Sequence, residues 1–72
     1  MQQIAIARKD ISPLVKKGTR LIRKGQWAIM EGYDKIERVR MEINGDVFYP
    51  PNYYPWEEVI AMKQYWEVKK IK

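Results

Sequence analysis

The chain has neither cysteine nor histidine among its 72 residues. The first absence excludes a disulfide staple and a thiolate metal site. The second removes the commonest general base and the commonest metal ligand. Serine and threonine occur once each, as Ser12 and Thr19, so a serine-type triad has nothing to draw on. The four glycines, Gly18, Gly25, Gly32 and Gly45, stand apart as turn residues and make no phosphate-cradling loop. The nearest carboxylate pair, Glu57-Glu58, sits at adjacent positions whose side chains diverge. These gaps point away from catalysis, and from any cofactor, metal or small-molecule substrate. No run approaches the roughly 18–20 apolar residues of a membrane span, so no membrane role is expected. The opening MQQIAIARKD has too short an apolar run, with charge directly behind it, to read as a signal peptide. The expected compartment is the cytoplasm, whose reducing conditions suit a chain without cysteine.

What is present is base, and it is unevenly placed. The net charge is +5. Residues 8–24 carry seven bases against Asp10 alone, and residues 25–68 carry four bases against eight acids. The first third is therefore the basic part. Lys16, Lys17, Arg20, Arg23 and Lys24, joined by Arg38 and Arg40 on one strand face, are the candidate phosphate contacts of a nucleic-acid-binding reading. The acids Glu37 and Glu42 dilute that patch. The same lysines and arginines equally serve as a solvated surface that keeps a small domain in solution.

The local patterns favour strands in one small domain spanning residues 1–72. Ile4 and Ile6 alternate with Ala5 and Ala7, which predicts a strand over about residues 2–9. Ser12-Pro13 opens a loop, and Thr19–Lys24 and Gln26–Glu31 read as two strands turned at Lys24-Gly25. Val39, Met41 and Ile43 alternate with Arg38, Arg40 and Glu42, and Asn44-Gly45 follows at once. An Asn-Gly pair between alternating segments is the strongest short-range hairpin signal, because both residues accept positive φ. The last third reads as a helical turn near residues 53–59 and then a strand over about 60–71. A helix from Pro55 to about Trp66 is the alternative. Shared parity with Ile60, Met62 and Val68 puts Trp66 in the core. The fold class is all-β, with at most one short helix near residues 55–66, arranged as a small five- to six-stranded antiparallel barrel.

The segment Val47–Trp56 holds five aromatics and three prolines in ten residues. Strand parity assigns Val47, Tyr49 and Tyr53 to the core and leaves Phe48, Tyr54 and Trp56 outside. An exposed aromatic-proline patch is an interaction surface by default.

The order of elements resembles a Src-homology-3-type barrel over about residues 4–60. Val15-Lys16-Lys17-Gly18-Thr19-Arg20-Leu21 is similar to the step entering that family's second strand. Gln26-Trp27-Ala28-Ile29 stands where those domains place a tryptophan-bearing strand, and Tyr49-Pro50-Pro51-Asn52-Tyr53-Tyr54 resembles the family's Pro-Ser-Asn-Tyr-Val segment. The build is also similar to small barrels of bacterial and viral proteins, many of them adaptors, inhibitors or nucleic-acid binders. The resemblance implies a groove for extended proline-containing peptides, lined by Trp27, Pro51 and Tyr53. Two features set the chain apart from that family: Ile4-Ala5-Ile6-Ala7 carries no tyrosine, and the loop from Arg8 to Lys17 is basic. The functional expectation is a non-catalytic module that binds a protein, a second copy of itself included, as an adaptor or inhibitor. Its contacts would be Trp27, Phe48, Pro51, Tyr53, Tyr54 and Trp56. A basic nucleic-acid-binding barrel is the alternative.

Overall fold

The computed structural model describes residues 2–71. In chain order its elements are β1 (Gln2–Ala7), β2 (Arg20–Lys24), β3 (Trp27–Met30), β4 (Met41–Ile43), β5 (Asp46–Phe48), β6 (Tyr53–Pro55), the helix α1 (Trp56–Ala61) and β7 (Trp66–Ile71). Five strands form one antiparallel sheet in the order β6-β3-β2-β1-β7, and β4 and β5 pair separately. The mostly-β expectation with one short helix therefore holds, but among the described residues there are seven strands in two sheets and no closed barrel.

The alternation at the start of the chain explains the centre of the sheet. Ala5 and Ala7 face one side and Ile4 and Ile6 the other. The register of β1 with β2 and β7 sets Ala5 opposite Leu21 and Val68, and Ala7 opposite Trp66. That first side is the core: Ala5, Ala7, Leu21, Ala28 and Trp66 pack with Val15 from the loop and with Trp56 and Val59 from α1. Three alanines under two indoles is a small-against-large fit, in which missing side-chain volume on the sheet makes room for the rings above it. Each buried indole removes about 150–250 Å² from water, which at about 25 cal/mol/Å² is an upper estimate near 4–6 kcal/mol.

A six-residue helix does not hold itself. α1 is held by Trp56 and Val59, three residues apart on one face and both buried. Pro55 precedes it in an extended conformation that suits a helix start, and Glu57 and Glu58 lie in its first turn, where the helix dipole favours acid. Trp56 N–H donates to the Gln26 carbonyl at 2.8 Å, tying the helix start to the β2–β3 turn. The helix runs past residue 59 and the last strand begins only at Trp66, so both readings of this third need correction. The parity of Ile60, Met62, Trp66 and Val68 was a coincidence across two element types: Ile60 faces solvent from the helix. Trp66 is in the core, as its parity implied.

Among the described residues no ladder joins β6 to β7, so they remain the two edges of the sheet. The gap between them is spanned by α1 and by side chains. The Tyr54 ring on β6 meets the Trp66 ring on β7 edge to face, with centroids 5.3 Å apart.

β4 and β5 form an arm. Asn44 and Gly45 have φ of 51° and 86°, the left-handed values the sequence anticipates for this turn. The turn sets Ile43 opposite Asp46, Glu42 opposite Val47 and Met41 opposite Phe48. The pairing continues toward the base, where Val39 N–H donates to Pro50 and Arg38 bridges Pro51. The arm strands pack on each other and have little contact with the rest of the protein. Asn52 anchors them. It is the buried polar residue of the described chain, 0% exposed. Its Oδ1 accepts from Glu37 N–H at 3.0 Å and its Nδ2 donates to the Lys35 carbonyl at 3.0 Å. Its own carbonyl accepts from Met30 N–H, so one residue locks both arm strands to β3.

Candidate binding surface

The arm decides where the aromatic segment goes. Opposite residues of an antiparallel pair share a face. One face of the arm therefore carries Val39, Met41 and Ile43 with Phe48 and Pro50, and with Asp46 beside the turn. The other carries Arg38, Arg40 and Glu42 with Val47, Tyr49 and Pro51. Phe48 is 41% exposed and Ile43 is 36% exposed, so the apolar face is open to solvent. Val47 and Tyr49, expected in the core, are 44% and 56% exposed. The correction has a plain cause: no arm strand joins the core cluster, so both faces of the arm are open, and Val47 and Tyr49 share theirs with Glu42 and Arg40.

The remaining rings of the segment are sorted by neighbouring elements. Trp56, expected on the surface, is 5% exposed and belongs to the core. It begins a helix rather than continuing a strand, which breaks the parity that put it outside. The Arg23 guanidinium lies over its ring, 5.1 Å from the centroid. Tyr54, also expected outside, is half-buried against the core cluster. Burial pushes its hydroxyl pKa above the ordinary tyrosine value. The Ser12 hydroxyl opposes that shift by hydrogen bonding, and the Glu58 charge reinforces it. Tyr53, expected in the core, is half-buried on the opposite side of β6. There its ring meets Trp27 edge to face at 5.4 Å.

Trp27 and Tyr53 thus come together, as the resemblance implies. The register places them on a second apolar face of the sheet, in line with Ile29, Ile22 and Ile4. Trp27 is the exposed member, at 39%. Pro51, the third implied groove residue, is committed to the arm base by its bridge to Arg38. A cleft of about 340 Å³ beside Trp27 is bounded by Arg23, Gln26, Pro55 and Glu57.

The candidate phosphate contacts do not gather. Arg20 and Lys24 lie on one face of β2 and Arg23 on the other, by simple alternation. Lys16 and Lys17 sit in the loop before β2, and Arg38 and Arg40 on the arm. The guanidiniums are also engaged within the protein. Arg20 pairs with Glu31 at 3.5 Å and Arg40 with Glu42 at 3.7 Å. Arg23 donates to Gln3 and to the Gly25 carbonyl, and Arg38 to the Tyr49 carbonyl.

Sequence reasoning missed Tyr65, which leaves the turn after α1 half-buried with the Lys9 ammonium 4.9 Å from its ring centroid. It also passed over Ile36, exposed near the arm base. Among the described residues there is no group of three or more acidic side chains placed to hold a metal ion, and no helix is long and apolar enough to cross a membrane. The chain matches no protein-family model, and no curated protein or solved structure gives a significant match to it.

Proposed function

We propose that the protein is a small non-catalytic binding module that grips a protein partner with its arm, acting as an adaptor or inhibitor. The observation that carries this is the open apolar face of the arm, with Ile43 and Phe48 exposed on a two-stranded ribbon pinned at its base by a buried Asn52. An isolated two-stranded ribbon is marginal in water, and a third strand or a packed layer stabilises it. A partner that covers this face supplies that layer, and a second copy of the chain is one such partner. The pairing of the first strand with the last, with a short helix leading into the last, supports reading the larger sheet as a Src-homology-3-like small barrel opened between β6 and β7. The scattering and engagement of the bases speak against nucleic acid as the ligand.

The test compares the wild type with a double variant, Ile43→Ser and Phe48→Ser, in nuclease-treated affinity capture, with the solution mass measured alongside. Both positions are exposed, so the fold survives the change. The expected result is a protein retained by the wild type, or a dimer, that the variant loses while its melting temperature barely moves. Retention by both forms, or capture abolished by nuclease alone, would sink the reading.

A further inference from the structure

A second cavity lies on the core side of the sheet, across β6 from Tyr53 and away from the arm. It measures about 360 Å³ and is walled by Tyr54, Tyr65 and Trp66, with the Asp10 and Glu58 carboxylates at its sides. That volume is at the small end for ligand sites, about 300–1,000 Å³, and suits one long side chain rather than a cofactor. Three aromatic side chains line it, and a cation over an aromatic face is attracted by the ring quadrupole. Two carboxylates add charge of the matching sign, in a protein that is otherwise strongly basic.

Two further observations point to the sign of the occupant. The Lys9 ammonium already lies over the Tyr65 ring, so this ring accepts a cation from the chain itself. The Glu58 charge reaches the Tyr54 hydroxyl, so its field extends into the cavity. Asp10 uses one oxygen to accept the Lys17 N–H at 2.8 Å, which fixes the carboxylate in place.

We infer that this aromatic, carboxylate-flanked cavity is a binding site for an arginine or lysine side chain presented by a protein or peptide partner. Trp66 forms its floor, Tyr54 and Tyr65 its walls, and Glu58 the principal counter-charge. The site uses neither the arm nor the Trp27–Tyr53 pair, so it stands or falls separately from the arm as a protein-gripping surface.

The experiment is a nuclear magnetic resonance titration of the isotope-labelled protein with N-acetyl-arginine methylamide. N-acetyl-citrulline methylamide, nearly the same shape without the charge, is the control. The expected result is saturable movement of the Trp66 indole N–H and of the Ile11 and Met62 amides, with a dissociation constant on the order of millimolar. The Trp27 indole and the arm amides stay still. Citrulline binds at least about fivefold more weakly, and Glu58→Gln, an exposed helix position that leaves the fold intact, weakens arginine binding about three- to fivefold. Equal responses to arginine and citrulline, an unchanged affinity in Glu58→Gln, or shifts centred on Trp27 would each overturn the assignment.

Discussion

The aromatic segment splits most sharply between Trp56 and Tyr49, seven positions apart in sequence, and substituting each with alanine measures the split. Trp56 is 5% exposed, opens α1, packs in the core cluster and carries Arg23 over its ring. Truncating a buried tryptophan to alanine costs about 3–5 kcal/mol from lost transfer energy and the cavity left behind. The cation over the ring adds roughly 0.5–1 kcal/mol. Native stabilities run near 0.05–0.15 kcal/mol per residue, so a chain of this length has roughly 4–11 kcal/mol in total. Trp56→Ala therefore removes a third or more of it. At about 4–8 °C per kcal/mol, the melting temperature falls by at least about 15 °C, or the variant does not fold at all. Tyr49 is 56% exposed on the arm face that carries Arg40 and Glu42, and Tyr49→Ala stays within about 0.5 kcal/mol of wild type. Thermal unfolding followed by far-ultraviolet circular dichroism reads both. A Trp56→Ala protein melting within a few degrees of wild type would refute the placement of its ring. So would a Tyr49→Ala protein losing as much as Trp56→Ala.

Asn52→Ala leaves the Glu37 N–H and the Lys35 carbonyl without partners. It should lower stability by about 2–4 kcal/mol, with faster amide exchange at Glu37 than anywhere in β1, and an unchanged Glu37 exchange rate would contradict the anchor. Tyr54 has its hydroxyl pKa raised, chiefly by burial, so the folded state favours the neutral phenol. A folded pKa above the unfolded one gives stability that is complete below the unfolded value, ordinarily 10.0 for tyrosine. That stability is lost as pH climbs through the folded value. Denaturant midpoints should therefore fall above about pH 10, and less so in Tyr54→Phe; equal slopes in the two proteins would remove Tyr54 as the cause. Binding to generic single- or double-stranded DNA should be weaker than about micromolar at physiological salt, and tight binding that falls steeply with log salt would restore the nucleic-acid reading.

The strands were legible because their signals are local. The alternation from Ile4 to Ala7, the turn at Gly25 and the Asn44-Gly45 hairpin each act over a few residues, and each is found where expected. Phe48 is exposed as its parity implies, while Val47 and Tyr49 are not in the core because the hairpin that carries them stands off it. A two-residue turn pairs residues whose numbers sum to a constant, so Met41 must face with Phe48, and Val47 and Tyr49 must join Glu42 and Arg40. Parity along one strand says nothing of which face the partner strand presents until it is carried across the turn. The helix was harder to place. Six residues give less than two turns, and the decisive evidence for α1 is burial of Trp56 and Val59 against a sheet formed mostly by distant sequence. The cavity between Tyr54, Tyr65 and Trp66 has no sequence signature, because it exists only where the loop after β1 folds over the junction of α1 and β7.

The economy of polar burial bears on the arm. A buried asparagine must hydrogen-bond its amide nitrogen and oxygen or lose free energy, so small domains place few of them. Here the buried polar residue of the described chain lies at the arm base, not under the core, and both its side-chain bonds run to the segment that leads into the arm's first strand. Nothing in the core requires that arm: the core cluster is built from β1, β2, β3, β7, α1 and Val15. A ribbon that adds little to the core, exposes Phe48 and Ile43, and is nevertheless fixed in place by a buried side chain hydrogen-bonded through both its oxygen and its nitrogen gains from being held in one orientation. Pre-ordering a projecting surface lowers the entropy lost when a partner covers it, and that is the physical advantage such an anchor provides.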